Sequence, residues 1–551
     1  MDYLKLADLL LPAIHETPEH YRTLYPKRNL KPNAMVTRYA PSPTGFQHLG
    51  GVFAALISER LAHQSNGIFY FRVEDTDKKR EVAGAIEDST NTLHDFGINF
   101  DEGVVDSTHE KGAYGPYKQS DRISIYHAFV KSLIKRGLAY PCFCTEEDLD
   151  NTRKIQQDAK INTGYHGKWA VHRNASFEEI TNELSKGTPF VIRLRAPENT
   201  DKRVICNDLI KGTISMPEND QDIVILKTNG IPTYHFAHAV DDYLMGTTHV
   251  IRGEEWLSSL PIHLQLFEML GFTPPEYAHI PTIMKMDGTS KRKLSKRKDP
   301  EISVDFYKSQ GYPFMSVTEY LINLVNSDFQ EWRTQNADAN CTSFNITFEN
   351  MSKSGALFDI LKLNDISKNV IATMDSSTVY DLYLAWAKKY NTTMATLLIS
   401  NEDYSKKIFN IERENDKPRK DFVKWLDVAE HIEYFFDDFY NRSINAGTNF
   451  PEHIPMDDVN IVLASYIDVY DYSHDNDTWF GVLKELSGKL GYAKNAKTYK
   501  KNPDLYKGIL SDVATIVRVA LTNKVQTQDL HEVMQVMGNE RVIYRLSQKF
   551  V

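Results

Sequence analysis

The feature that most constrains the fold is the order of hydrophobic periods between residues 35 and 97. Alternating residues at 36–40 predict a strand, and the Pro- and Gly-rich segment 40–45 predicts the loop that ends it. Apolar residues then recur at helical spacing up to Leu61, and we expect Gly67 to end that helix. The first unit is therefore a strand followed by a helix.

A second strand and a second helix follow directly. The run 68–73 is rich in Ile, Phe, Tyr and Val, which favour strands, and the acidic segment 74–77 leads into a helix through Val82 and Leu93. This order is typical of an α/β fold with a doubly wound parallel sheet, in which ligands lie beyond the carboxyl ends of the strands. The loops 40–45 and 74–77 should therefore face one crevice.

The pattern changes twice more along the chain. Residues 115–230 carry short mixed strands and helices, which indicates a domain inserted into the sheet. Strand-like runs return at 223–226 and 248–251. From about residue 350 to the end, helical spacing dominates and predicts an all-α region.

Composition excludes several classes of protein. The 551 residues contain no apolar run long enough to predict a membrane span. The first residues are too acidic for a transit peptide and hold no secretory apolar core, which favours a cytoplasmic protein. Four cysteines are too few for a disulfide scaffold and suit a reducing compartment. The net charge of −10 excludes a uniformly basic nucleic-acid coat, so RNA would have to bind through local basic patches.

A glycine-rich helix start lies in the string A-P-S-P-T-G-F-Q-H-L-G-G, residues 40–51. The N–H groups and the dipole at the start of a helix attract phosphate. His48 could donate to a phosphate oxygen as charge builds up in a transition state, and Gly50 and Gly51 would let a nucleotide lie close to the backbone. Taken alone, the same string also suits a capped turn with an exposed histidine.

The second candidate motif is the cationic run K-R-K-L-S-K-R-K at residues 291–298. Six of its eight residues are basic, and their ammonium and guanidinium groups could neutralise a triphosphate. Taken alone, such a run is more often a solvated charge cluster.

Together the two motifs resemble the paired signatures of class I aminoacyl-tRNA synthetases, here H-L-G-G at 48–51 and K-L-S-K-R at 293–297. The strings that make the likeness closer are T-R-Y-A-P-S-P-T-G, R-V-E-D-T-D, P-T-Y-H-F-A-H-A-V-D-D and T-H-V-I-R-G-E-E-W. Over most of residues 34–330 the chain is similar to bacterial-type glutamyl-tRNA synthetases. R-V-A-L-T and N-E-R-V-I are similar to the helical end of that family.

The resemblance implies an enzyme that uses ATP with Mg²⁺ to join L-glutamate to the 3′ terminal adenosine of tRNA(Glu), through a glutamyl-adenylate. The implied catalytic residues are His48, Lys293 and Lys296, which would stabilise charge at the α-phosphate. The implied ATP-binding residues are His48, Gly50, Gly51, Glu255, Trp256, Leu294, Ser295 and Lys296. We expect a monomer, and we leave tRNA(Gln) open as a second acceptor.

Glutamate carries two carboxylates and one ammonium group, so its site needs two cations and one anion. The resemblance places it against Arg38, Ala40, Ser42, Glu74, Tyr234, His238 and Arg252. We expect Arg38 with Tyr234 to bind the side-chain carboxylate and Glu74 to bind the ammonium group. The family often carries asparagine at position 238, so His238 stays open between a substrate contact and a histidine satisfied by its neighbours.

Cys142 and Cys144 resemble the start of a zinc-binding insertion found in some family members, but Trp169 stands where a further cysteine would be expected. Candidate replacements are His166, His172 and Cys206. Two thiols without a clear second pair are more often small buried residues, so we expect no structural zinc.

The resemblance also assigns roles to the segments of the chain. We predict an N-terminal extension (1–33), a Rossmann-like catalytic domain in two halves (34–114 and 231–285), an inserted acceptor-stem-binding domain (115–230), a stem-contact region with the K-L-S-K-R loop (286–350) and an all-helical anticodon-binding region (351–551). We expect residues 1–33 to form a short helical extension that packs on the catalytic domain.

Four alternatives remain open from sequence. A glutaminyl-tRNA synthetase is close kin, although A-P-S-P-T-G and E-D-T-D suit the glutamyl branch better. A paralogue that glutamylates a modified tRNA base would lack an anticodon-binding region. Another nucleotidyltransferase would not need Arg38, Tyr234 and Arg252 together. A non-catalytic RNA-binding descendant would be expected to lose His48 or the lysines of the cationic run.

Overall fold

The computed structural model describes residues 1–197, 202–295 and 297–550, and the predicted catalytic residue Lys296 lies outside the described residues. The chain forms two compact units. Unit 1 comprises residues 1–306 and 318–359, and unit 2 comprises residues 307–317 and 360–551. Among the described residues, every helix is too short or too polar to cross a membrane.

The strands of the described chain all lie in unit 1. They are β1 (Val36–Tyr39), β2 (Ile68–Phe71), β3 (Glu102–Val104), β4 (Glu110–Lys111), β5 (Ala139–Cys142), β6 (Val191–Leu194), β7 (Arg203–Asp208), β8 (Gly212–Pro217), β9 (Val224–Leu226), β10 (His249–Gly253), β11 (Glu276–Ile280), β12 (Ile283–Asp287), β13 (Ser290–Lys293) and β14 (Ala356–Leu357).

Helices occur along the whole chain. The first twelve are α1 (Tyr3–Leu10), α2 (Pro18–Leu24), α3 (Leu49–Gln64), α4 (Ala85–Asp95), α5 (Ile123–Lys135), α6 (Glu146–Asp158), α7 (Phe177–Ser185), α8 (Tyr234–Leu244), α9 (Leu260–Leu270), α10 (Val304–Gln310), α11 (Phe314–Val325) and α12 (Phe329–Gln335). Unit 2 continues with α13 (Ile360–Ala372), α14 (Ser376–Tyr390), α15 (Thr392–Ser400), α16 (Glu402–Asn410), α17 (Trp425–Ile432), α18 (Asp437–Ala446), α19 (Met456–Ile467), α20 (Asn476–Lys489), α21 (Ala496–Lys501), α22 (Leu510–Thr522), α23 (Leu530–Met537) and α24 (Asn539–Leu546).

The main sheet of unit 1 has two four-stranded halves, in the orders β1-β2-β3-β4 and β10-β11-β7-β8, which a backbone hydrogen bond links. β1, β2 and β3 are parallel neighbours, with β4 antiparallel at the edge. β10 and β11 are parallel to each other, and the Thr248 N–H just before β10 donates to the carbonyl of Val36 at 2.9 Å. The predicted parallel α/β architecture is therefore confirmed.

Residues 115–230 contribute to two different sheets. β5, β6 and β9 form an antiparallel sheet of their own. The hairpin β7–β8 instead joins the main sheet, because Asp208 of β7 pairs in parallel with Tyr277 of β11. One part of the predicted insertion is thus hydrogen-bonded to the strands that carry the cleft.

Two short helices, α1 and α2, precede the sheet and pack on α5. Leu6 and Leu10 belong to the same hydrophobic cluster as Phe129. The Lys131 ammonium group donates to the carbonyl of Leu11 at 3.0 Å, just after α1 ends. Residues before the first strand are therefore held by both apolar packing and a helix cap.

Unit 2 is helical, as the apolar spacing predicts, but the predicted all-helical region 351–551 also contains β14, which pairs with β12 in unit 1. The face of α22 that carries Val513, Ile516, Val517 and Ala520 is buried in the same cluster as Tyr383 of α14. Burying one apolar stripe of each helix is what holds such a unit together.

Two helix boundaries differ from the sequence prediction. α3 ends at Gln64, and Asn66 takes the left-handed conformation with a φ of 55°, so the helix stop that we assigned to Gly67 belongs to Asn66. A Cβ on Gly67 would lie 1.9 Å from the carbonyl oxygen of Met35, so glycine is required there for close packing of two backbone segments. α4 begins at Ala85, which leaves Val82 before the helix.

We expect Gly67→Ala to destabilise unit 1, because the new Cβ would collide with the Met35 carbonyl beside the β1–β2 pairing. The free energy of unfolding should fall by about 2 kcal/mol, a typical cost of overpacking. Gly481→Ala in α20 is the matched control, since no described atom lies within 4 Å of its new Cβ and alanine favours a helix. Thermal unfolding measures both variants, and equal midpoints would contradict this account.

Candidate active site

A cleft of about 550 Å³ opens at the carboxyl ends of the parallel strands in unit 1. Its walls come from the segments that follow β1, β2, β10 and β11, together with the start of α3 and the end of β13. The loops 40–45 and 74–77 both line it, as the strand order predicts.

Most of the predicted site residues line this one cleft. They are Arg38, Ala40, Ser42, His48, Gly50, Gly51, Glu74, Tyr234, Arg252, Glu255, Trp256, Lys293 and Leu294. Of the predicted residues that the structure describes, His238 and Ser295 do not line it: His238 lies behind the wall, and Ser295 donates its backbone N–H to Asp299 at 2.9 Å. The structure therefore brings together His48 and Lys293, which are far apart in sequence.

His48 is the N-cap of α3, and its hydrogen bond there fixes which ring nitrogen carries the proton. Its Nδ1 accepts from the Gly51 N–H at 3.1 Å, so in the neutral ring Nε2 carries the proton. A proton on Nε2 is what the predicted donation to phosphate requires. Gly51 has a second constraint, because a Cβ there would lie 2.6 Å from the hydroxyl of Tyr39.

Arg38 and Glu74 rest on a buried network of charges. Arg72 donates to Glu74 Oε1 at 2.8 Å and to Asp242 Oδ1 at 2.7 Å, while Arg38 Nε lies 3.3 Å from Asp242 Oδ2. Burial raises the pKa of Glu74, and Arg72 partly offsets that rise. Burial alone would raise the pKa of Asp242 too, but Arg72 and Arg38 hold it well below its usual range. Asp242 therefore stays ionised and orients both arginines.

A second buried carboxylate continues the network away from the cleft. Asp241 accepts from Arg122 Nε at 2.7 Å, from Gln119 Nε2 at 2.9 Å and from the Tyr126 hydroxyl at 2.7 Å. Sequence reasoning missed Arg72, Asp241 and Asp242. Their signal was present, since each is a charged residue inside an otherwise apolar run.

His238 lies behind the wall of the cleft. The side chain is wholly buried, with Nδ1 3.0 Å from Asp242 Oδ2 and Nε2 3.2 Å from the hydroxyl of Tyr277. Its ring stacks on Tyr234 at a centroid distance of 5.9 Å. Burial lowers the pKa of His238 to about 4, so the ring is neutral. Of the two alternatives left open, the geometry favours the histidine that supports Tyr234 over the one that contacts a substrate.

Aromatic rings form one wall of the cleft. The ring of Tyr234 lies 4.6 Å from that of Trp256, centroid to centroid. Burial raises the pKa of Tyr234 to about 12, so its hydroxyl remains a hydrogen-bond donor at neutral pH. Arg252 is also buried, with its guanidinium 4.9 Å from the ring centre of Tyr277.

The cationic run begins on a β-hairpin. β13 pairs antiparallel with β12, and Lys293 lies opposite Met284 at the cleft. Arg292 points elsewhere, since Asp299 accepts from its two terminal nitrogens at 2.5 and 2.8 Å. The hydrogen bonds from Arg292 hold the pKa of Asp299 well below its usual range. Part of the positive charge of the run is therefore neutralised within the protein.

The thiols of Cys142 and Cys144 lie beside His172. One ligand atom from each of these three residues lies within 4.8 Å of the others, and the hydroxyl of Tyr165 contacts both thiols at 3.3 and 3.6 Å. His166 is outside the group, with its Nε2 3.1 Å from the carbonyl of Asn162. From sequence, His166, His172 and Cys206 were all candidates for a further donor. The structure supplies a third in His172, and the sulfur and nitrogen set suits a tetrahedral cation.

Comparison with known proteins agrees with this geometry. The family described as tRNA synthetases class I (E and Q), catalytic domain, matches residues 34–365. The chain belongs to this family. This class I synthetase is 56% identical to the glutamate–tRNA ligase of Clostridium perfringens (strain 13 / Type A). The match spans 546 residues, which cover 99% of this chain and 100% of that one.

One further sequence relative and one solved structure are also similar to this class I synthetase over nearly its whole length. The glutamate–tRNA ligase of Acetivibrio thermocellus is 47% identical over 547 residues, 99% of each chain. The crystal structure of a glutamate tRNA ligase from Elizabethkingia meningosepticum, in complex with its amino acid, matches with a TM-score of 0.72 and 26% identity over 93% of this chain and 98% of that one.

We expect the stability of unit 1 to fall as the pH falls from about 6.5 to about 4, because the unfolded chain binds a proton at His238 that the folded chain excludes. At pH 5 this one group should cost about 2 kcal/mol. His238→Asn should flatten the pH dependence of the thermal midpoint. His109→Asn, at a side chain that is 76% exposed, is the control. Parallel pH curves for wild type and His238→Asn would refute this explanation.

Proposed function

We propose that this class I synthetase is a glutamate–tRNA ligase, which activates L-glutamate with MgATP and transfers it to the 3′ terminal adenosine of tRNA(Glu). The observation that carries the proposal is the composition of the cleft. A helix start with His48 and a lysine of the cationic run line the same space as two buried arginines and one buried carboxylate. The relatives with 56% and 47% identity over 99% of the chain bear the same activity in their names.

The amino-acid side of the cleft suits glutamate by charge. Arg38 and Arg252 offer two guanidinium groups for two carboxylates, and Glu74 offers a carboxylate for the ammonium group. Glutamine lacks the side-chain carboxylate, so it cannot form the ion pair that we propose between Arg38 and glutamate, and we propose that it binds more weakly.

The phosphate side suits in-line transfer. The α-carboxylate oxygen of glutamate attacks the α-phosphorus of ATP, the bond from that phosphorus to the bridging oxygen breaks, and pyrophosphate leaves with the electron pair. We propose that His48, through its Nε2–H, and Lys293 stabilise the charge that develops on the phosphoryl oxygens. The ribose 2′-hydroxyl of the terminal adenosine then attacks the carbonyl of the adenylate, and AMP leaves.

The remaining assignments belong to the same proposal. We propose that residues 115–230 bind the acceptor end of the tRNA and that the helical region from 351 onward reaches the anticodon, with tRNA(Gln) a second possible acceptor. We also propose a cytoplasmic monomer, and the four free thiols suit a reducing compartment. A base-modifying paralogue would have no need for the helices of unit 2, and a non-catalytic descendant would not need His48 beside Lys293.

ATP–pyrophosphate exchange tests the proposal directly. The assay is run with glutamate and with glutamine, each without tRNA and with transcripts of tRNA(Glu) or tRNA(Gln). We expect exchange with glutamate when tRNA(Glu) is present and loading of that transcript with glutamate. Exchange with glutamine alone would favour a glutaminyl enzyme, and exchange with neither amino acid would favour a non-catalytic protein.

We expect Lys293→Ala to lower kcat/KM for aminoacylation by about 100-fold, the usual effect of removing one group that stabilises transition-state charge. Lys291→Ala is the matched control, because Lys291 lies on the same strand, opposite Met286, and does not line the cleft. Steady-state kinetics with tRNA(Glu) measure both variants. Equal losses would show that only the total charge of the run matters.

A further inference from the structure

The two buried arginines of the cleft, Arg38 and Arg252, differ in whether a carboxylate contacts the guanidinium group. Arg38 contacts the carboxylate of Asp242 at 3.3 Å. Across residues 1–197, 202–295 and 297–550, no carboxylate oxygen lies within 4.0 Å of a guanidinium nitrogen of Arg252. A buried cation without a counter-ion is unfavourable, so this position calls for an anionic ligand.

Two histidines take the place of a carboxylate beside Arg252. Its Nε donates to His279 Nε2 at 3.0 Å, and its Nη1 donates to His263 Nδ1 at 3.1 Å. Its Nη2 donates to the backbone carbonyl of Trp256 at 3.3 Å. Of the five N–H groups of a guanidinium, these bonds leave one on each terminal nitrogen for a ligand in the cleft.

The contacts fix where each histidine carries its proton. A guanidinium can only donate, so the two histidine nitrogens that it contacts are unprotonated. His279 then carries its proton on Nδ1, which donates to Asp208 Oδ2 at 2.6 Å. His263 carries its proton on Nε2, which donates to His235 Nδ1 at 2.9 Å. Each ring is therefore held in one tautomer by a partner on its far side.

The surroundings keep both rings neutral. Burial lowers the pKa of His263 well below its usual range and also lowers that of His279. The groups that face the pair are Tyr234, His235, His238 and Asp242 on α8, Tyr277 on β11, Asp208 on β7, Lys211 just after β7 and Arg252 itself. Neutral rings accept hydrogen bonds from Arg252 without cancelling its charge.

We propose that His263 and His279 are positioning residues that hold Arg252 as an uncompensated cation for a carboxylate of glutamate. This assignment rests on the proposed function, because it names the device by which that site binds its amino acid. A carboxylate in place of either ring would hold the guanidinium equally well but would remove the charge that attracts the substrate.

A matched pair of variants at His263 separates position from charge. His263→Asn and His263→Asp have nearly the same shape, and both place an oxygen acceptor near the Nδ1 position, but only the aspartate is an anion. We expect the KM for glutamate to rise by about 100-fold in His263→Asp and by about 5-fold or less in His263→Asn, with the KM for ATP nearly unchanged in both. Circular dichroism checks that each variant folds.

A second pair at His279 keeps the test decisive if an aspartate at 263 prevents folding. His279→Gln keeps an acceptor near the position of Nε2, whereas His279→Leu removes it. We expect the KM for glutamate to rise by about 10-fold to 100-fold in His279→Leu, as for loss of a hydrogen bond to a charged group, and to recover most of the way in His279→Gln.

Three results would overturn the assignment. Equal glutamate KM values for His263→Asn and His263→Asp would show that the missing counter-ion is unimportant. A rise in the KM for ATP as large as that for glutamate in His279→Leu would show a general structural role. A wild-type chain that fails to load glutamate would overturn the proposed function and this assignment together, whereas the first two results, with an active wild type, overturn the assignment alone.

Discussion

The ion pairs of Asp242 are the interaction on which the cleft depends. This carboxylate on α8 contacts Arg38 from β1 and Arg72 from the end of β2, so it ties one half of the sheet domain to the other. Arg72 in turn holds Glu74. Because these groups are buried, removing any one of them would leave an uncompensated charge inside the protein, which costs far more than an exposed ion pair contributes.

The two buried arginines of the cleft are oriented by different kinds of partner. Arg38 is oriented by a carboxylate and shares its charge with the protein, whereas Arg252 is oriented by the neutral rings of His263 and His279. Both arrangements fix the guanidinium before a ligand arrives, which reduces the entropy lost on binding. They differ in the positive charge that remains available to an anion, which is smaller at Arg38 than at Arg252. The two carboxylates of glutamate would therefore experience different electrostatic potentials.

The order of the strands made it possible to predict which loops form this site. The buried side chains behind the loops could not be predicted from sequence. Parallel strands deliver their following loops to one edge, so Ser42 and Glu74 could be placed in the same cleft from pattern alone. Whether a charged or aromatic side chain points into the cleft or behind it depends on tertiary packing. His238 therefore could not be assigned, and the choice of third donor among His166, His172 and Cys206 stayed open, because only the fold shows that His172 reaches the thiols.

The hairpin β7–β8 is hydrogen-bonded into the wall of the cleft. Asp208 ends β7, pairs with Tyr277 in the main sheet and accepts from the His279 ring that holds Arg252. Only two hydrogen bonds separate the hairpin from the guanidinium, and neither tolerates a displacement of more than a few tenths of an ångström. A binding partner that displaces this hairpin would also tilt the His279 imidazole. Force applied at the edge of the sheet would therefore change the geometry of the amino-acid site.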